Sequence, residues 1–313
     1  MTASLPEDKT WRLGSRRSEL ALWQTEHVRD LFVETWPGLV VTIKTFSTKG
    51  DQILDTSLPE LGGKGLFTAE LETALRQGLI DAAVHSLKDL PVDPPAGLVV
   101  GAIPSRENPA DALISRMGCT LETLPKGAIV GTSSRRRAAQ LRHLRPDIQT
   151  ADIRGNVPTR IRKALDPHGP YDAIVLAYAG LRRLGIMDVV SQNLPIDSFL
   201  PAPGQGALGI QCRDESASLS ILEPVNNFAS QAAVEAERAF LSGLGGGCSL
   251  PIAAYANLDD GQLTLRGRVS SPDGERQIDL FSQGKPDSAR QLGADLALEA
   301  LELGSTELLE SLL

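Results

Sequence analysis

The stretch GGGCSLPI, residues 245–252, sets one thiol, Cys248, behind three glycines and just ahead of Pro251. Such a segment is too flexible for a helix or strand interior, so it reads as a loop with little bulk on the N-terminal side of the thiol. A lone Cys is ordinarily a small buried hydrophobe. The neighbours here are not an apolar run, which leaves a functional thiol as an equal alternative.

The positive charges are grouped. Arg16 and Arg17 close a strand-like WRLGSRR, and Lys88 follows another strand. Arg135, Arg136 and Arg137 open a helix beside Thr132, Ser133 and Ser134; Arg154 ends a strand, and Arg160 and Arg162 lie on the helix after it. Ligands of open α/β sheets bind beyond the carboxyl ends of the strands, where these bases fall. Helix N-termini add backbone N–H groups that favour anions. Arg grips carboxylates with a planar fork. The set therefore points to a ligand with several negative groups. For a single Arg, such as Arg135 or Arg162, a solvated helix face is the simpler account. Asp89, in HSLKDLP, is a carboxylate directly beside a base in a strand-to-helix turn. It suits an acid–base group or a stabiliser of positive charge, against a helix cap or an ion pair with Lys88.

The elements that must position these groups alternate. Strands are expected at 11–17, 39–46, 80–85 and 98–103, with a helix after Ser18 and another carrying Phe67, Leu71, Ala74 and Leu75. Residues 47–65, with Lys49 and Lys64, form a long Gly-punctuated loop of the kind that serves as a lid. From about 105 the alternation restarts, with strands at 112–115, 128–131, 148–153 and 172–177. Asn156 is the expected cap of the helix holding Pro158 in its first turn. Strands alternating with helices imply mostly parallel sheets covered on both faces. PAPGQGALGIQCR, 201–213, is a Pro/Gly crossing and one more strand, expected to return to the first lobe. After a break near Glu223–Pro224, a helix at 226–243 leads to the Cys248 loop. Three antiparallel strands follow, near 252–257, 262–270 and 275–281, joined by LDDGQ and SPDGE turns with Asp-Gly hairpin signals. A final helix covers 286–301. The organisation expected is residues 1–104 plus 205–222 as one α/β lobe, 105–204 as a second, and 223–313 as a small α+β domain.

The chain of 313 residues suits two or three domains. Its net charge of -8 makes nucleic acid an unexpected partner, so an anion site must be a local cluster of bases. Cys119, Cys212 and Cys248 have neither zinc nor CxxC spacing, and the four His are not paired, so no metal is expected. The first residues resemble neither a signal nor a transit peptide, and no run is long enough for a membrane span. A reduced, cytoplasmic protein with no membrane partner is expected.

Taken together, GSRRSELALWQ, STKGD, GGKGLF, VHSLKDLP, IVGTSSRRRAAQL, DIRGNVPTR, AGLRRLG, PAPGQGALGI and GGGCSLPI resemble the porphobilinogen deaminase family, in family order over residues 11–252. Glu19 stands where many members have Pro, Arg135 replaces an apolar residue, and Pro158 replaces a Gly. The resemblance implies a monomeric transferase that joins four porphobilinogen units, releasing ammonia, into the linear hydroxymethylbilane. It implies a dipyrromethane cofactor linked through a thioether to Cys248, and Asp89 as the catalytic carboxylate. Cofactor and substrate carboxylates would be held by Arg16, Ser18, Lys88, Thr132, Ser134, Arg136, Arg137, Arg154, Gly155, Arg160 and Arg183. Lys49, Lys64 and Phe67 would belong to the lid. The implied fold is two periplasmic-binding-protein-like α/β lobes joined by two crossings, plus the C-terminal α+β domain with its three-stranded sheet. The residues fit this chemistry. Each pyrrole carries an acetate and a propionate, and loss of ammonia leaves an electron-poor ring that needs a carboxylate nearby. The rival reading is a non-catalytic, two-lobed anion-binding protein, which leaves the third domain and the Gly-flanked Cys unexplained.

Overall fold

A computed structural model describes residues 10–48, 68–246 and 250–309. Its strands are β1 (Thr10–Arg16), β2 (Val40–Phe46), β3 (Ala82–Ser86), β4 (Leu98–Ala102), β5 (Asp111–Ser115), β6 (Ile129–Gly131), β7 (Gln149–Ala151), β8 (Ala173–Ala177), β9 (Gln192–Asn193), β10 (Leu208–Arg213), β11 (Ile252–Asp259), β12 (Gln262–Ser270) and β13 (Gln277–Gly284). The helices are α1 (Glu19–Thr35), α2 (Ala69–Arg76), α3 (Arg135–Leu144), α4 (Val157–Leu165), α5 (Tyr178–Arg183), α6 (Ser216–Leu222), α7 (Phe228–Gly243), α8 (Ala289–Glu302) and α9 (Ser305–Leu309).

The chain divides into two compact units, Met1–Arg106 with Ala207–Gln231, and Glu107–Gly206 with Ala232–Leu313. The first holds a five-stranded sheet in the order β2-β1-β3-β10-β4. The second holds one in the order β7-β6-β8-β5-β9 and, in its C-terminal part, the sheet β11-β12-β13. The two α/β lobes share a plan without a sequence repeat. In each, three strands run parallel and the next is antiparallel to both of its neighbours. The antiparallel strands are β10 and β5, and each follows a crossing from the other unit. The sheets are therefore mixed, where alternation of strands and helices alone led to the expectation of mostly parallel ones. Alternation reports local order and is blind to a strand delivered from elsewhere in the chain.

β10 is buried along LGIQC because it lies between β3 and β4, not at an edge. Leu13, Phe32, Val84 and Ile210 anchor the core of the first lobe, and Leu113, Val130, Leu141, Val175 and Phe199 that of the second. Ser18 caps α1 by accepting from the Ala21 N–H, and Asn156 caps α4 by accepting from the Thr159 N–H. The turn between β11 and β12 has Asp260 at φ 46° and Gly261 at φ 76°, left-handed at both central positions as a tight hairpin requires. A one-turn 3-10 segment, Glu223–Val225, occupies the break expected near Glu223–Pro224, and α6 before it has no counterpart among the expected elements.

The C-terminal part is joined to the second lobe through polar bonds. Glu237 of α7, fully buried, accepts from the Gly204 N–H at 2.7 Å and the Ala256 N–H at 2.8 Å. Arg142 of α3 donates to the Pro272 carbonyl at 2.6 Å. Arg268 of β12 reaches Gln140 of α3 at 3.0 Å and the Ser198 carbonyl at 2.8 Å. α3, which carries the arginine run, is therefore held from both sides.

Candidate functional site

In the second unit the residues of interest gather at one edge of the sheet. β6 ends at Gly131, and the chain turns through Thr132, Ser133 and Ser134 into α3. The Thr132 hydroxyl accepts from the Ser134 N–H at 3.2 Å, and Ser134 caps the helix by accepting from the Arg137 N–H. β8 ends at Ala177 and leads directly into α5 with Arg183. β5 is antiparallel to β8, with Asp111 opposite Ala177. The start of β5 therefore lies at the same edge as the ends of β6 and β8, and this places Asp111 under α3.

Arg136 and Arg137 are both buried, at 5% and 7% exposure, and both bind Asp111, at 0%. Arg137 donates from Nε and Nη2 to Asp111 Oδ1 at 3.0 and 2.7 Å, from Nη1 to the Val175 carbonyl at 3.1 Å, and from Nη2 to Gln205 Oε1 at 3.4 Å. Arg136 donates from Nη2 to Asp111 Oδ2 at 2.8 Å and from Nη1 to the Leu200 carbonyl at 2.6 Å. Its Nε is buried with no partner among the described residues. Burial by itself would raise the Asp111 pKa. The two guanidinium charges and the hydrogen bonds outweigh it and hold the carboxyl well below its ordinary range.

Two cations against one carboxylate leave this buried cluster with one positive charge in excess. The first turn of α3 contains no acidic residue, and the helix dipole adds further positive charge there. A buried excess of this kind is one that a bound anion would offset. An open recess of about 400 Å³ is lined by Thr132, Ser134, Arg135, Ala138, Arg142 and Asp152 among others, and neither Arg136, Arg137 nor Asp111 is part of that lining.

Arg183 is buried and donates to the Gly206 carbonyl at 2.7 Å; burial lowers its pKa to about 10, with Glu107 partly offsetting, so it stays charged at neutral pH. Gly206, at φ +86°, lets the chain pass so close that a Cβ would lie 2.3 Å from the Glu107 carbonyl oxygen. Arg160 donates from Nε to the Gly155 carbonyl at 2.7 Å, and Gly155 has φ +117°. Arg154 precedes it in the same turn, with its carbonyl accepting from Lys163 Nζ at 3.0 Å.

The first unit repeats the arrangement with different groups. Arg16 ends β1, half-buried, and Ser18 follows as the cap of α1. Lys88 and the exposed Asp89 sit on the one-turn 3-10 segment Leu87–Asp89, directly after β3. The start of β10, Leu208, pairs with Ser86 at that edge. Cys248, Lys49, Lys64 and Phe67 lie outside the described residues.

Sequence reasoning missed Asp111 and Gln205. The strand was read as starting at Ala112, which left the carboxylate in the loop. A signal was available, since an acidic residue heading the otherwise apolar run ALI of a buried strand needs a cationic partner.

Two family models match the chain, one described as porphobilinogen deaminase, dipyromethane cofactor binding domain, over residues 11–220, and one as porphobilinogen deaminase, C-terminal domain, over residues 231–302. The chain is similar to the porphobilinogen deaminase of Syntrophobacter fumaroxidans, with 47% identity over 97% of this chain and 98% of that protein. It is similar also to that of Nitrosomonas europaea, with 48% identity over 96% of this chain and 97% of that protein.

Proposed function

The chain belongs to the porphobilinogen deaminase family, and from that premise we propose how its own residues carry the reaction. The protein polymerises porphobilinogen, with release of ammonia, into hydroxymethylbilane on a dipyrromethane cofactor. The observation that carries the assignment of roles is the buried Arg136–Arg137–Asp111 cluster with its excess positive charge and an Arg136 Nε that has no partner among the described residues. Its donor set suits the acetate and propionate groups of pyrroles and fits the cofactor.

Arg136, Arg137, Thr132 and Ser134 hold ligand carboxylates by charge-assisted bonds, which are the strong ones among hydrogen bonds. Arg154, Gly155, Arg160 and Arg183 extend the set within the same unit. Arg16, Ser18 and Lys88 are the carboxylate-holding groups of the first unit. Cys248 is the thioether attachment point. When bound, dipyrromethane supplies a nucleophilic pyrrole carbon at which the first substrate unit adds.

The substrate's aminomethyl carbon must lose its nitrogen as ammonia, which requires a proton on that nitrogen and leaves positive charge on the ring. Asp89, an exposed carboxylate on a rigid one-turn helix, handles that proton and offsets the ring charge. Coupling then expels the α-hydrogen of the accepting pyrrole as a proton, which the same carboxylate takes up. We place the enzyme in the cytoplasm as a monomer, without a nucleic-acid or membrane partner; its net charge of -8 supports the absence of a nucleic-acid partner, and no helix among the described residues is long and apolar enough to cross a membrane.

Intact-protein mass spectrometry tests the reading. The wild type is expected to exceed its sequence mass by two pyrrole units, and Cys248→Ala to show the bare mass with no turnover. An adduct mapped to Cys119 or Cys212 overturns the assignment of Cys248.

A further inference from the structure

Asp111 belongs to the cluster but has no part in the reaction as derived above. Its Oδ1 accepts from Arg137 Nε, Arg137 Nη2 and Gln205 Nε2, and its Oδ2 from Arg136 Nη2. Three side chains therefore fill both oxygens. Gln205 also donates to the Pro109 carbonyl at 2.7 Å, which ties the brace to the segment leading into β5.

A plain structural ion pair would need one arginine. The second adds the desolvation cost of another buried cation, which its bonds to Asp111 and the Leu200 carbonyl offset and which leaves a charge for an arriving anion to meet. The commitments of the two guanidinium groups differ accordingly. Arg137 spends its Nε, Nη1 and Nη2 on Asp111, Val175 and Gln205. Arg136 is fixed by one bond from each Nη and keeps its Nε unbonded among the described residues.

Resting on the assignment of Arg136 to ligand carboxylates, we propose that Asp111 is a positioning residue for this reaction. It bridges the two guanidinium groups, holds Arg136 with its Nε uncommitted, and leaves the cluster one positive charge to be met by one ligand carboxylate. Gln205 holds Asp111 in that orientation.

The test compares Asp111→Asn, Asp111→Glu, Gln205→Met and Arg136→Leu with wild type. Read out are the fraction of chains carrying the two-pyrrole mass, KM and kcat for porphobilinogen, and Tm. Asp111→Asn raises the buried charge to plus two and turns amide donors toward guanidinium donors. It is expected to reduce loading and to raise KM at least tenfold in the loaded fraction, with a smaller change in kcat. Asp111→Glu keeps the charge and should fall between Asn and wild type. Should Asp111→Asn fail to fold, Gln205→Met carries the test, since it changes no charge and loosens only the brace; KM is expected to rise two- to fivefold. A merely structural Asp111 would lower Tm and leave loading and KM of the folded chains unchanged, and that result overturns the proposal. If Arg136→Leu itself keeps normal loading and KM, the carboxylate assignment falls and the present inference with it. If Arg136→Leu is impaired while the Asp111 and Gln205 variants are not, only the role of Asp111 falls.

Discussion

Arg136→Leu and Arg137→Leu remove the same charge from adjacent positions, yet the geometry predicts different losses of stability. Arg136→Leu deletes two hydrogen bonds, to Asp111 and to the Leu200 carbonyl. The Leu200 carbonyl still accepts from Gln140, and Asp111 still has Arg137 and Gln205. The cluster becomes neutral, and the desolvation cost of one buried cation disappears with it. The net loss should be about 1–3 kcal/mol. Arg137→Leu deletes two bonds to Asp111, one to the Val175 carbonyl and one to Gln205. Asp111 is left with a single cationic contact, and the expected cost is about 3–5 kcal/mol, that of breaking a buried pair. For a unit of this size 1 kcal/mol moves Tm by about 2–4 °C, so Arg137→Leu should melt about 4–8 °C below Arg136→Leu. Function should not follow that order. Arg136→Leu, the more stable of the two, should still lack the two-pyrrole mass and turnover, because it has lost the uncommitted donor. Scanning calorimetry and intact mass on purified apoprotein and on protein incubated with porphobilinogen make the comparison, with exposed Arg162→Leu as the control. An Arg136→Leu variant that loads and turns over normally would refute the reasoning, as would an Arg137→Leu variant that melts at or above it.

Three further outcomes are expected. Asp89→Asn should fold and lose most of its turnover while Asp89→Glu retains more, because catalysis needs the charge; the reverse ranking in steady-state rates would make Asp89 a turn-capping residue. Burial pushes the Cys212 thiol up to about 12, so at pH 8 only about one chain in ten thousand carries its thiolate. Iodoacetamide should modify Cys212 only after denaturation, and rapid labelling of the native protein would contradict the burial. His85 of β3, buried, has its pKa lowered from 6.5 to about 4 by burial, against a hydrogen bond with Gln211 that raises it, with the Arg16 charge lowering it further. The unfolded chain then binds more protons than the folded one between these values. Stability contributed by neutral His85 is complete above about pH 6.5 and is lost as pH falls toward 4, by about 2–3 kcal/mol at pH 4.5. Denaturant melts of wild type and His85→Gln across this range should converge as pH drops, and parallel curves would exclude the effect.

The local order of the chain was legible in its sequence. The caps at Ser18 and Asn156 and the Asp-Gly hairpin turn follow from residue type and spacing, because capping and turn chemistry are short-range properties. The chemistry was legible too, since bases placed just after strands reach one edge of any open α/β sheet. Which partners those bases meet was not. Asp111 lies 25 and 26 residues from Arg136 and Arg137, and Gln205 lies 68 residues from Arg137. They converge only because β5 enters the sheet antiparallel to β8 and brings its first residue to the edge where β6 and β8 end. Strand direction is a property of the whole crossing, not of the five residues in the strand. Tertiary structure therefore decided that two arginines from one motif share a single buried carboxylate, while the sequence by itself determined that they would open a helix just after a strand.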